Sequence, residues 1–271
     1  MRQRIGVSAR QNSRARLKSG LAGWTVSPTL PGKHEMANLQ QPAFQPAKLS
    51  QMPVEVDHVF ICTVVGAPGA GRLRQFGLLE GSPNKHPGQG TACRRFFFRN
   101  FMLELVWVQD VAEARSDQTR RTRLWERWSE AAHGASPFGV ILRPAPGTQE
   151  PCPFPSWEYR PASMPDLALH IAEGTGLEEP MWCYLETGRI PAEAPPDRRQ
   201  PLEHPSGLRE VTGVRIVCPA LQETLLTLAM THAGVISSNT GPEHRIELLF
   251  DRGRHANTVD FQPVLPLVFH W

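Results

Sequence analysis

Two side chains stand out because their neighbours are the wrong company for them. Glu104 lies in the run Met102–Val108, where period-two alternation places it on one strand face with Met102, Val106 and Val108. A carboxylate among such neighbours is costly to bury unless it is paired, hydrogen-bonded or bound to a metal. The alternatives are that this face borders solvent, or that Glu104 pairs with an arginine from the strand 93–99. His58 falls between Val56 and Phe60 on one face of the run Val54–Val65. It is either a satisfied core histidine or a side chain aimed at a cavity. The segment His86-Pro-Gly-Gln-Gly-Thr91 has three features that suit a ligand. They are a Pro-Gly turn, a second glycine that lets the backbone approach closely, and Thr91 as a donor. A purely structural turn is the competing reading. His204 precedes the strand near Val211, so it stands either at a pocket rim or in an ordinary loop. His133, His170, His232, His244, His255 and His270 have no motif around them and read as structural or exposed.

These residues need elements to hold them. Val54–Val65 reads as a strand, and Pro68 opens a helix that Leu73 and Phe76 stripe up to about Leu79. Strands at 93–99 and 101–108 follow, joined at Asn100. Ser116 or Asp117 caps a helix through about His133. Its buried stripe is Leu124, Trp125, Trp128, Ala131 and Ala132, and its solvated face carries Arg120, Arg121, Arg123 and Arg127. Residues 137–205 hold 14 of the chain's 26 prolines, so only short strands are expected there, at 138–143, 167–172 and 181–185. A second regular block begins near Arg209. It has a strand at 211–218, a helix at 221–232 and strands at 244–250 and about 257–262.

Both blocks read strand–helix–strand–strand–strand. Val56-Asp57-His58-Val59 aligns with Val211-Thr212-Gly213-Val214, and Leu103-Glu104-Leu105 with Val259-Asp260-Phe261. His58 and Glu104 are 46 residues apart, Gly213 and Asp260 47. Matched register and spacing argue for an internal duplication. The expected domains are a basic tail at 1–51, a first module with its helix at 52–135, a proline-rich connection at 136–207 and a second module at 208–271.

At this point the chain resembles the vicinal oxygen chelate superfamily, and within it the glyoxalase-like branch. The residues that carry the resemblance are Asp57-His58-Val59, His86–Thr91, Leu103-Glu104-Leu105 and His204-Pro-Ser-Gly207. It implies an α+β fold in which two βαβββ modules form a cupped, mostly antiparallel mixed sheet of the glyoxalase/bleomycin-resistance kind. Here a proline-rich insertion would separate the modules. It implies a divalent metal (Fe, Mn, Zn or Ni) on the first and last strands of each module, with His58, Glu104 and Asp260 as ligands. An imidazole nitrogen and carboxylate oxygens suit such ions. Gly213 stands where a fourth ligand is expected, and Arg215, facing the same way, would repel a cation. The activity implied is that of a lyase, isomerase or dioxygenase on a small substrate with neighbouring oxygens, Glu104 being catalytic. His86, Thr91, His204 and Arg215 would contact the substrate. The alternative is a metal-free protein that binds or sequesters a small molecule, with Arg215 gripping an anion. A homodimer is implied by the resemblance alone.

Other classes are disfavoured. Five cysteines form no Cys-x-x-Cys pair, which suits a reduced, cytoplasmic protein better than a disulfide or zinc-ribbon scaffold. Gly66–Gly71 lacks the Gly-Lys-Ser/Thr ending of a phosphate loop, and no Gly-x-Ser-x-Gly elbow occurs. No apolar run approaches the roughly 18 residues of a membrane span. Residues 1–51 hold eight Lys or Arg against one acid, Glu35, so the rest of the chain is mildly acidic despite a net charge of +3. Nucleic-acid binding by the body is therefore not expected. The tail reads as a targeting segment, a nucleic-acid arm, a disordered extension or an over-long start ahead of Met52.

Overall fold

The structure is a computed structural model that describes residues 54–219 and 225–271. The expectations for the tail at 1–51 and for the first turn of the 221–232 helix lie outside the described residues.

The first five elements follow the expected order. They are β1 (Val54–Cys62), α1 (Ala70–Phe76), β2 (Asn84–His86), β3 (Thr91–Phe97) and β4 (Met102–Val108). α1 ends where Gly77 takes φ 103° and donates its N–H back to the last turn. β1 runs parallel to β4, and β4, β3 and β2 follow as antiparallel neighbours. The strands that mirror this set are β5 (Phe138–Pro144), β6 (Ser156–Tyr159), β7 (Leu169–Ala172) and β8 (Met181–Tyr184). β5 lies antiparallel to β1 and parallel to β8, which gives one curled eight-stranded sheet in the order β2-β3-β4-β1-β5-β8-β7-β6.

The α+β fold with a cupped mixed sheet is therefore present, but the second half of the cup comes from the proline-rich stretch. Three of its strands stand close to where the sequence places them. No helix separates β5 from β6 among the described residues, and β6, β7 and β8 have only four residues each. The block near 208–271 instead forms its own five-stranded sheet. It contains β9 (Val211–Cys218), α4 (Leu225–His232), β10 (Ser237–Thr240), β11 (Arg245–Phe250), β12 (Thr258–Asp260) and β13 (Leu267–His270). Their order is β10-β9-β11-β13-β12, so β9 and β12 are not neighbours as β1 and β4 are. The spacing match between His58–Glu104 and Gly213–Asp260 reflects no common pairing.

Alternation divides the residues between two cores. Val59, Ile61, Phe96, Leu103, Val140 and Leu142 leave the convex face of the cup. They join Val214, Ile216, Leu248, Phe250 and Phe269 from the second sheet in one buried cluster. Asn100, in the β3–β4 turn, ties the two sheets, since its side chain exchanges bonds of 2.8 and 3.0 Å with the backbone of Val211. The concave face carries Phe60, Cys93, Val106, Ile141, Met181 and Cys183, with Leu124 packed on them.

Leu124 belongs to α3 (Leu124–Ser129), which follows the single turn α2 (Val111–Ala114). The long helix expected over 116–133 is broken, because Arg123 adopts a left-handed φ of 55°. Arg127 does not face water. It is 3% exposed and donates to the carbonyls of Ser136, Leu177 and Glu179, and burial lowers its pKa to about 10. No helix among the described residues is long and apolar enough to cross a membrane.

Candidate functional site

The hairpin from β2 to β3 builds the part of the cup where chemistry gathers. Asn84 stands opposite Cys93 and His86 opposite Thr91, while across β4 Cys93 faces Val106 and Arg95 faces Glu104. This register sends His86, Cys93 and Glu104 to one side of three adjacent strands. Their ligand atoms lie within 4.8 Å of one another. Glu104 and Cys93 are buried and His86 half-buried. The Asn84 amide, 3.1 Å from His86 Nε2, donates to it, and Nδ1 lies 2.9 Å from the Thr91 hydroxyl. That network puts the ring's lone pair on Nε2. Burial pushes the Cys93 thiol up, and the adjacent Glu104 carboxylate pushes it further, so the group stays protonated unless a cation displaces the proton. Glu104 makes no ion pair among the described residues. Arg95, its partner in the register, spends its Nε on the Ser82 carbonyl at 2.9 Å.

The loop that presents His86 is held from behind. Glu113 Oε2 accepts the N–H groups of Gly88 and Gly90 at 2.7 and 3.0 Å, and Asp110 caps α2 to hold Glu113 in place. Gly90 has φ 72° and no room for a side chain, since a Cβ would come 2.3 Å from the Asp110 carbonyl. Glu113→Ala is expected to cost about 1–2 kcal/mol through the two lost bonds. It should also speed hydrogen exchange at Gly88 and Gly90; unchanged protection there would exclude the clamp.

His58 shares the concave face with Glu104 but sits one register step away, opposite Met102 and Ile141. A bulge between Val56 and His58 turns Asp57 inward beside it. Asp57 Oδ1 lies 2.6 Å from His58 Nδ1, and Oδ2 accepts from Arg143 at 3.2 Å. Burial alone would raise the Asp57 pKa; the His58 bond and the charges of His58 and Arg143 outweigh it and hold the pKa below its ordinary value. The result is a carboxylate–imidazole pair that leaves Nε2 as the ring's remaining proton-transfer atom.

The residues do not fit a metal centre shared by the two halves of the cup. The row level with Glu104 continues through Phe60, Gly139 and Met181, and the His58 row through Ile141 and Cys183. The second half thus offers no imidazole or carboxylate in either row. Asp260, expected as a ligand, lies on the edge strand of the other sheet, exposed, and accepts the Gln262 N–H at 2.8 Å. His204 is spent on the fold. Its Nδ1 accepts the Leu79 N–H at 3.0 Å, its Nε2 bonds the Phe97 carbonyl at 2.9 Å, and its ring meets Phe98 edge-on. Burial lowers its pKa, which keeps it neutral. Thr91 is buried between His86 and Gln89. Arg215 faces neither Glu104 nor Asp260 but pairs with Glu247 in the second sheet. Of the site residues read from sequence, the structure brings His86 and Glu104 together and puts His58 on the same face; Cys93, Asp57, Arg143 and Glu113 are not among those readings.

No protein-family model matches the chain, and no curated protein matches it in sequence. Among solved structures it is similar to a hypothetical protein from Staphylococcus aureus, at 8% identity over 80% of this chain and 99% of that one, with a TM-score of 0.45. A xylose isomerase-like TIM barrel/4-hydroxyphenylpyruvate dioxygenase fusion protein shares 14% identity over 73% of this chain, with a TM-score of 0.40. A mutant of 4-hydroxymandelate synthase from Streptomyces coelicolor shares 12% over 80%, with a TM-score of 0.34. The chain spans 37% of the fusion protein and 62% of the synthase. Its own strand order, with parallel β1–β4 and β5–β8 pairs meeting at β1 and β5, is that of the glyoxalase-like fold.

Proposed function

We propose that the chain is a glyoxalase-like enzyme that holds one divalent ion with His86, Cys93 and Glu104 and acts on a small substrate with neighbouring oxygens. The convergence of those three side chains on one face carries the reading. An imidazole, a thiolate and a carboxylate are donor types that zinc takes, and three protein donors leave a position for water or substrate. A zinc ion there would supply Lewis acidity toward a carbonyl or developing oxyanion, which favours a lyase or isomerase over a dioxygenase.

The chain's own residues do the rest. Thr91 fixes the orientation of the His86 ring through Nδ1, and the Asn84 amide would have to leave Nε2 for an ion to take that lone pair. Asp57 orients His58 so that Nε2 can take or return a substrate proton on the same face. Phe60, Val106 and Ile141 make that face apolar and keep water scarce.

The test is metal analysis of purified full-length protein, with Cys93→Ser, Glu104→Gln and His58→Ala beside it. One divalent ion per chain is expected in the wild type and in His58→Ala. Zinc affinity should fall by about 100-fold or more in the other two, beyond what changes behind a ligand usually cost. Wild-type protein from zinc-supplemented cells that neither contains metal nor competes with a chelating dye for zinc would sink the proposal. Loss of metal in His58→Ala would return the ligand set to His58 and Glu104.

A further inference from the structure

We infer that the outer face of the second sheet binds a small organic oxyanion, a carboxylate or phosphate carried on an apolar body. Alternation builds this face. Gly213 and Arg215 on β9, Glu247 and Leu249 on β11 and His270 on β13 turn away from the core that Val214, Ile216, Leu248 and Phe269 enter. A cavity of about 580 Å³ lies over it, within the size range of small-molecule sites. Val235, Leu249 and Trp271 supply apolar wall, while Ser237, Asn257 and Thr258 supply polar groups. Gly213 keeps the floor low beside Leu249. Trp271 is pinned by reciprocal backbone bonds to Asn257 at 2.8 and 3.0 Å.

The charged side chains around this cavity meet at Glu247. Glu247 is the only carboxylate side chain among the described residues that line it. Arg245 donates from Nε and Nη2 to Glu247 Oε1 at 3.0 and 2.7 Å, and Arg215 Nη1 to Oε2 at 2.8 Å. His270 Nε2 lies 3.2 Å from Oε2, and its Nδ1 is bonded to Thr258. Burial raises the Glu247 pKa, but the Arg245 bond and the charges of Arg215 and Arg245 outweigh it, so the carboxyl stays ionised at neutral pH. Glu247 thus draws on two guanidinium groups, of which Arg215 lines the cavity. Arg215 spends a single nitrogen on Glu247 and is 47% exposed, so Nε and Nη2 remain as a fork toward the cavity. Such a fork matches the two oxygens of a carboxylate or phosphate, and the apolar wall suits the body attached to it.

The test is calorimetric titration of the full chain, at low ionic strength, with benzoate and separately with inorganic phosphate. Saturable one-to-one binding of at least one is expected. Binding of benzoate alone assigns a carboxylate on an apolar body, and binding of phosphate alone assigns a phosphate ester. Arg215→Gln should weaken binding by about tenfold or more, the loss expected for a charge-assisted contact. Arg121→Gln, a change at an exposed arginine that pairs with Glu173 outside this cavity, should leave it unaltered. The affinity should also survive chelator treatment, which separates this site from the metal ligands of the cup. No saturable binding at millimolar concentration overturns the inference. So does binding unchanged in Arg215→Gln, equally weakened in Arg121→Gln, or lost on chelation.

Discussion

Arg143→Ala is expected to lower the unfolding free energy by about 3–5 kcal/mol, the usual cost of stripping one partner from a buried ion pair. The Arg143 side chain is 2% exposed. Its Nη1 reaches the Val56 carbonyl and Asp57 Oδ2 at 3.4 and 3.2 Å, and its Nη2 reaches Glu55 Oε2 and the Asn100 carbonyl at 3.0 and 3.1 Å. The contact with Glu55 counts for little, because that carboxylate is 45% exposed and water screens it. Asp57 is nearly buried, and without Arg143 it keeps only the His58 ring as a side-chain partner. Its contribution has a pH signature. A carboxyl held below its ordinary pKa of 3.8 stabilises the fold above that value, and the stabilisation is lost as pH falls through the folded value. Urea unfolding at pH 7 and pH 3 should therefore show a gap between wild type and variant that narrows in acid. Arg120→Ala, whose pair with Asp117 is exposed on both sides, should stay within about 0.5 kcal/mol. A gap that does not change with pH would detach Arg143 from Asp57.

What the sequence made legible follows where a polar side chain interrupts an apolar run. β4 is buried at six of its seven positions, so Glu104 is legible as the one charge in that run, and His58 likewise stands out between Val56 and Phe60. The second half of the cup has no such marker in β8 and alternates no better. β8 is buried at all four positions, and β5 at six of seven, which erases period two. Without a helix after β5 the stretch looks like connecting loop, while β9 and α4 present the strand–helix pattern that the eye seeks in a repeat. Cys93 has no second cysteine at motif spacing to mark it. The useful spacing ran through the hairpin, because Thr91 opposite His86 puts the residue two further on onto the same face. Glu113 gave no local signal, since its partners are the backbone groups of a loop 23 and 25 residues away.

Ligand placement follows from the same geometry. A metal shared between two half-cups needs donors on β1, β4, β5 and β8, and on β5 and β8 this chain has spent those positions on packing. Three donors survive on one half alone, where the β2–β3 hairpin brings a histidine and a cysteine up to Glu104. The outer face of the second sheet carries a separate cavity lined by Arg215, Glu247 and His270. The two sites lie on different sheets, so a substitution in one should leave the other's binding intact.

Gly139→Ala tests the packing side of this account and is expected to cost about 3 kcal/mol, the upper end of ordinary overpacking. An added Cβ would stand 2.0, 2.3 and 2.6 Å from three ring atoms of Phe60. The ring is 7% exposed among Val106, Ile141 and their neighbours, so it has nowhere to swing. If the clash with the ring is the cause, trimming the ring should relieve it. Phe60→Leu will itself destabilise, but the double variant should cost at least about 1 kcal/mol less than the two single changes together. Strict additivity would mean that Gly139 answers to something other than Phe60. The coupling matters beyond stability. Phe60 stands directly opposite Glu104 and Gly139 directly opposite Phe60, so the ring fills the space where ligands from the two halves would have to meet. A strong coupling would mean that the centre of the cup is closed by packing, and that any metal chemistry in this protein belongs to the β2–β4 side.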